Sequence, residues 1–150
     1  MKILVDADAC PRAAKEILFR AAERTKIPTT LIANQYIRVP KSAYIDSIAV
    51  AAGTDGADDR IVELTEADDL VITADIPLAD RVVSKGAMAL DPRGKLLTEA
   101  NIKERLATRD LLEELRNAAL VDGGAASYGP RNSQAFADEL NKILQSHPGG

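Results

Sequence analysis

Aspartates stand where short apolar runs stop. Residues 2–5 (KILV) run straight into Asp6, with Asp8 two positions on, and the apolar stretch at 70–72 leads through Thr73 to Asp75. Asp58 and Asp59 open a segment of helical pattern, Asp80 lies one turn beyond Asp75, and Asp91 follows residues 87–90 (AMAL). Carboxylates brought close together repel. They stay ionised only when a cation neutralises them, and otherwise raise one another's pKa. Hard oxygen donors favour Mg²⁺ or Mn²⁺, and such an ion can polarise a phosphoryl oxygen and activate a water. Metal-assisted hydrolysis is the chemistry this pattern points to.

Each acid also has a plainer reading. Asp8 stands just before Pro11, which opens a helix, so it could be an N-cap. Asp58 and Asp59 could merely complement a helix N-terminus. Asp75 precedes Ile76-Pro77 and could cap the next helix, and Asp80 alone reads as a solvated charge. Asp6, at the strand end itself, favours a site. The combination raises the site reading rather than any single residue.

The elements that must position these acids alternate. Residues 2–5 read as a buried strand, followed by a helix from Pro11 that ends before Ile27-Pro28. Residues 29–33 (TTLIA) read as a second strand ending at Asn34, 35–46 as irregular, and 47–52 (SIAVAA) as a third strand stopped by Gly53. A helix over roughly 57–67, a strand at 70–74, a helix from Pro77, a fifth strand at 87–90 and the turn Asp91–Gly94 follow. Strands alternating with helices signal an α/β fold, a mainly parallel sheet with helices on both faces. Ligands bind beyond the carboxyl ends of such strands, and there Asp6, Asp8, Asn34, Thr73, Asp75 and Asp91 would fall. For the D-x-D turn to meet the T-x-D turn, strand one must be central, between strands two and four. The last third is helical, with Leu106, Leu111, Leu112 and Leu115 on one helix, a loop at 122–130, and Phe136, Leu140, Ile143 and Leu144 on the final helix. Residues 1–146 read as one domain and 147–150 as a disordered tail.

Aromatics are only 3% of the chain and Trp is absent, which argues against an aromatic base-stacking platform. A net charge of -4 argues against a strongly electrostatic nucleic-acid binder, without excluding a local basic patch. One cysteine cannot form an internal disulfide, which suits a reducing compartment. The N-terminal apolar run is too short for a signal peptide, and no stretch reaches membrane-spanning length. The expected setting is the cytoplasm. Cys10 reads as a small buried residue, and His147, the single histidine, lies in the tail.

VDADACP at 5–11, GADDRIV at 56–62, VITADIPLA at 71–79 and PRGK at 92–95 resemble the YaiI/YqxD family of bacterial proteins, over nearly the whole chain. That family is similar to the PIN-like and NYN nucleases, in which clustered acids bind Mg²⁺ or Mn²⁺ and cut RNA. The resemblance implies a PIN-like fold. It matches Asp6 to the first-strand aspartate, Asp58 rather than Asp59 to the mid-chain acid, Asp75 to the T-x-D aspartate and, more weakly, Asp80. One departure is visible: the family often has Asp-Arg before the Gln-x-Phe of its last helix, where this chain has Asn132-Ser133.

The leading expectation is a ribonuclease acting on single-stranded RNA. Asp6, Asp58 and Asp75 would hold one or two metals, and Asp8 or Asp80 would orient a water. Arg12, Arg38, Lys41, Arg93 and Lys95 would meet phosphates. A strand ending in D-x-D also opens haloacid-dehalogenase-type phosphatases, with a nucleophilic first Asp, but TADIP is a poor substitute for their later motifs. A non-catalytic metal- or RNA-binding module is the third reading.

Overall fold

Ile3–Asp6 forms β1, and all four residues are buried, as expected of a strand covered on both faces. The computed structural model describes residues 1–51, 56–118 and 127–146. After β1 a single 3₁₀ turn, Ala7–Ala9, carries the chain to α1 (Arg12–Thr25), with Pro11 at its N-cap. The strands β2 (Thr29–Ala33) and β3 (Ile45–Ala49) follow, then α2 (Gly56–Leu64), β4 (Leu70–Ile72), α3 (Ile76–Val83), β5 (Met88–Leu90) and β6 (Leu96–Leu97). Two helices, α4 (Ile102–Asn117) and α5 (Pro130–Gln145), complete the order.

The sheet runs β3-β2-β1-β4-β5-β6 and is parallel except for the β5–β6 pair. Strand one is therefore central, between strands two and four, as the two aspartate turns require. Because strands one to five are parallel, their carboxyl ends share one edge. Alternation along β1 feeds two cores. Ile3 and Val5 pack with Leu18 of α1 and Phe136, Leu140 and Ile143 of α5. Leu4 packs on the other face with Ile61 of α2, Leu78 and Val82 of α3, and Ile102 of α4. Helices thus cover both faces of a mixed α/β fold, with a helical C-terminal part.

Several expected boundaries move. The third strand begins at Ile45 rather than 47, because the Tyr44 carbonyl already accepts from the Thr29 amide (2.8 Å) and starts the β2 ladder. The helix expected to reach 67 ends at Leu64, where the Thr65 hydroxyl folds back on the Ile61 carbonyl (2.6 Å). The two-residue strand β6 and the 3₁₀ turn carry too little pattern to be read in advance. Leu111 and Leu112 of α4, expected on an apolar stripe, are 55% and 41% exposed. Gly53, His147 and most of the 122–130 loop lie outside the described residues.

The Asp91–Gly94 turn is locked from both sides. Asp91 accepts from the Arg93 amide and donates its own N–H to the Lys95 carbonyl (2.9 Å), while the Tyr128 hydroxyl donates to the Pro92 carbonyl (2.8 Å). Gly94 sits at φ +93°, and a Cβ there would stand 2.7 Å from the Ala135 carbonyl of α5. Both the left-handed backbone and this close approach demand glycine. Gly94→Ala should therefore cost about 2 kcal/mol or more, read as a lower urea midpoint. A variant as stable as the parent would show that the turn is not seated on α5.

Candidate metal centre

The site is built where β1 and β4 end. Their register pairs Val5 with Ile72, so the next residues out, Asp6 and Thr73, come side by side. The Thr73 hydroxyl donates to Asp6 Oδ2 (2.9 Å) and accepts from the Asp75 backbone N–H (3.0 Å). Asp75 caps α3, its Oδ1 accepting from the Leu78 N–H (3.0 Å), and Pro77 supplies the fixed φ suited to a first helical turn.

Asp8 does not cap α1. The N-cap of α1 is Pro11, which has no side-chain cap bond; Asp8 instead reaches the end of β2, where its Oδ2 accepts from the Asn34 backbone N–H (2.8 Å). Asp58 sits half-buried in the first turn of α2. Asp6, Asp8, Asp58 and Asp75 line one cleft of about 250 Å³ together with Asn34 and Ala57. Asp59 is exposed and pairs with Arg81 (3.0 Å). Asp80 is not brought into the cleft: it pairs with Lys103 of α4 (2.9 Å).

Asp6 is only 8% exposed. Burial raises its carboxyl above the ordinary 3.8, the Thr73 hydrogen bond works the other way, and the charges of Asp75 and Asp8 raise it further. Like charges facing a buried carboxyl are what a divalent cation would relieve, and the lining donors are carboxylates with one carboxamide, a hard-oxygen set. Among the described residues no group of three or more His, Cys, Asp or Glu side chains forms a ready-made metal cage. The cleft gathers the acids without closing them on one point. Each of Asp6, Asp8 and Asp75 has one oxygen tied to the frame, and no hydrogen bond among the described residues reaches its other oxygen.

The cations divide. Arg12, Arg38 and Lys41 line a separate, larger cleft beside α1. Arg93 lies in a third cleft with Ala9, Ala74 and Tyr128, its guanidinium 5.8 Å from the Tyr128 ring centre. Lys95 is exposed and lines none of these three. Cys10 is buried and bonds weakly to the Pro11 carbonyl (3.7 Å); burial pushes its thiol up to about 12, which suits packing and not reactivity. Asn132, at the departure in the last helix, accepts from the Gly129 N–H (2.8 Å) and so fastens the start of α5. Sequence reasoning placed Thr73 at its strand end without a role. The signal was a hydroxyl two residues before the acid, which is the spacing at which it can take the acid's own N–H.

The family described as "Uncharacterized BCR, YaiI/YqxD family" matches residues 4–146. A UPF0178 protein of Maridesulfovibrio salexigens is 57% identical over 144 residues, 96% of this chain and 95% of the relative. UPF0178 proteins of Burkholderia lata and Burkholderia ambifaria are each 54% identical over 147 residues, 98% of both chains. No solved structure matches.

A raised carboxyl in the folded state means that folding takes up protons between 3.8 and the raised value. Stability from Asp6 is therefore present below that window and lost as pH rises through it. At pH 7 in EDTA, Asp6→Asn should melt as high as the parent or higher, the gap closing as pH falls toward 4. Saturating Mn²⁺ should raise the parent's melting temperature, through a stabilisation of about 2.7 kcal/mol at one hundred times Kd, and leave the variant unmoved. A large loss of stability without metal would mark Asp6 as purely structural.

Proposed function

The chain belongs to the YaiI/YqxD family, and from that premise and the chemistry of the cleft we propose a divalent-metal-dependent ribonuclease acting on single-stranded RNA. The observation that carries this reading is the set of three aspartates, each fixed to the frame through one oxygen, that line a common cleft with Asp58. The similarity of that family to the PIN-like and NYN nucleases, which the motifs imply, would make the substrate a phosphodiester. Asp6, Asp58 and Asp75 would hold Mg²⁺ or Mn²⁺. Bound there, the cation would supply Lewis acidity at the phosphoryl oxygen and activation of water.

The remaining work falls to the chain. Asp8 is fixed by Asn34 and keeps an oxygen for orienting a water and taking its proton, a task that a chain whose one histidine is His147 leaves to carboxylates. Asp80, held by Lys103, takes no part. Arg93, in the cleft next to Ala74, would meet a phosphate. A cytoplasmic setting goes with this reading; among the described residues no helix is long and apolar enough to cross a membrane.

The test is cleavage of labelled single-stranded RNA with Mn²⁺, with and without EDTA. Cleavage should vanish with chelator and in Asp75→Asn, which keeps the helix cap, since Asn caps as well as Asp, but loses the ligand charge. Arg93→Ala should weaken RNA binding mainly at low salt. An Asp75→Asn protein that cuts as fast as the parent would place the activity elsewhere. A chain that gains stability from Mn²⁺ yet cuts none of a varied set of RNAs would be a metal-binding module and not a nuclease.

A further inference from the structure

A second cleft is larger than the acidic one. It holds about 680 Å³, within the range of roughly 300–1,000 Å³ usual for ligand clefts, and lies between α1 and the segment 37–41 that leaves β2. Its cations are Arg12, Lys15, Arg38 and Lys41, against a single carboxylate, Glu16. Arg12 is 93% exposed and only loosely paired with Glu16 (3.5 Å), while Arg38 and Lys41 are exposed. Between the cations, Phe19 and Val39 are half-buried against the core and leave apolar surface facing the cleft. Cations above an apolar wall suit a ligand with both anionic and flat apolar parts. A free inorganic anion would have no use for the wall.

Topology says where such a ligand would come from. Both walls start at the carboxyl edge of the sheet. Arg12 lies four residues past Asp8, and Ile37 three past Asn34. The Asp8–Asn34 hydrogen bond belongs to the acidic cleft on one side. On the other, the chain on either flank of that bond leads into the basic cleft. A polymer lying across the acids has this groove as a continuation.

We propose that the basic cleft holds an unpaired nucleotide of a single-stranded nucleic acid whose neighbouring phosphodiester lies in the acidic cleft. Arg12, Arg38 and Lys41 take the phosphates, and Phe19 and Val39 carry the base. The proposal rests on the polynucleotide reading above and adds to it the direction of the strand. A base packs on that wall only when unpaired, so single strands are preferred to duplexes.

The experiment measures anisotropy of labelled RNA and DNA oligomers in EDTA across a salt series, where no cleavage intervenes. The parent should bind single strands more tightly than a duplex. The double variant Arg38→Ala/Lys41→Ala, changed at exposed positions, should bind at least about ten-fold more weakly at low salt. Its slope of log K against log salt should be shallower by about 1.4, that is about 0.7 for each lost single-strand contact. Phe19→Leu, which keeps an apolar core residue, should bind about five-fold or more weakly with the slope unchanged. Unaltered melting temperatures confirm that the variants are folded. Equal affinity and slope in parent and double variant would overturn the proposal, as would a parent that binds no single strand. An RNA held by the cleft but never cut with Mn²⁺ would sink the nuclease reading and leave this one standing. RNA cut by the double variant with unchanged KM would do the reverse.

Discussion

The hydroxyl of Thr73 does two things at once: it donates to Asp6 and accepts from the amide of Asp75. A serine or threonine oxygen is among the few side-chain atoms able to do both. Through it the last residue of the central strand, the exit of its neighbour and the cap of α3 become one hydrogen-bonded unit. That unit depends in turn on the parallel register of β1 and β4, which sets residues 6 and 73 side by side. Slip the register by one and the carboxylate would face the apolar interior. The rest of the acidic edge hangs on the same logic, since Asp8 fastens the exit of β2 in the same way.

Much of this was legible because parallel sheets impose strong patterns. The apolar runs at 3–5, 29–33 and 70–72 are continuous, as doubly covered strands must be, and each stops abruptly at a polar residue. The placing of Asp6, Asp8 and Asp75 at one edge followed from those stops, whereas Asp58 enters the same cleft from the first turn of α2. What failed to show had physical reasons. The role of Asp8 was ambiguous because capping and bridging use the same acceptor oxygen, and only the neighbouring strand decides between them. Asp80 looked like a partner of Asp75 because the two lie on one helix in sequence. Lys103, which claims Asp80, comes from an element that no local pattern ties to α3. The exposure of Leu111 and Leu112 was equally unreadable, because a 3.6-residue period records an apolar face and not what covers it.

Charge is divided between the ends of the sheet. At the amino edge the buried carboxylate Asp69 accepts from the Lys2 amide (3.1 Å), the Lys2 ammonium (2.6 Å) and the Glu66 amide (2.9 Å), and so is fully matched. Burial disfavours the Lys2 ammonium, but Asp69 and Glu66 overcome it and raise its pKa. At the carboxyl edge the aspartates meet hydroxyl and amide donors instead, which orient them without cancelling their charge. A net charge of -4 is thus a poor guide to local surfaces: cations gather beside α1, apart from the acids.

The seat of α5 has a consequence for synthesis. Phe136, Leu140 and Ile143 complete the core beneath Ile3 and Val5, the residues immediately before Asp6. A ribosome-bound chain lacking its last helix therefore leaves one face of the central strand covered by α1 alone, and the Gly94 turn without its seat on Ala135. Domains fold as units once their sequence has emerged. The acidic edge accordingly gains its full support only once α5 has been synthesised, so a product lacking α5 would carry Asp6, Asp8, Asp58 and Asp75 without the core that α5 completes beneath β1.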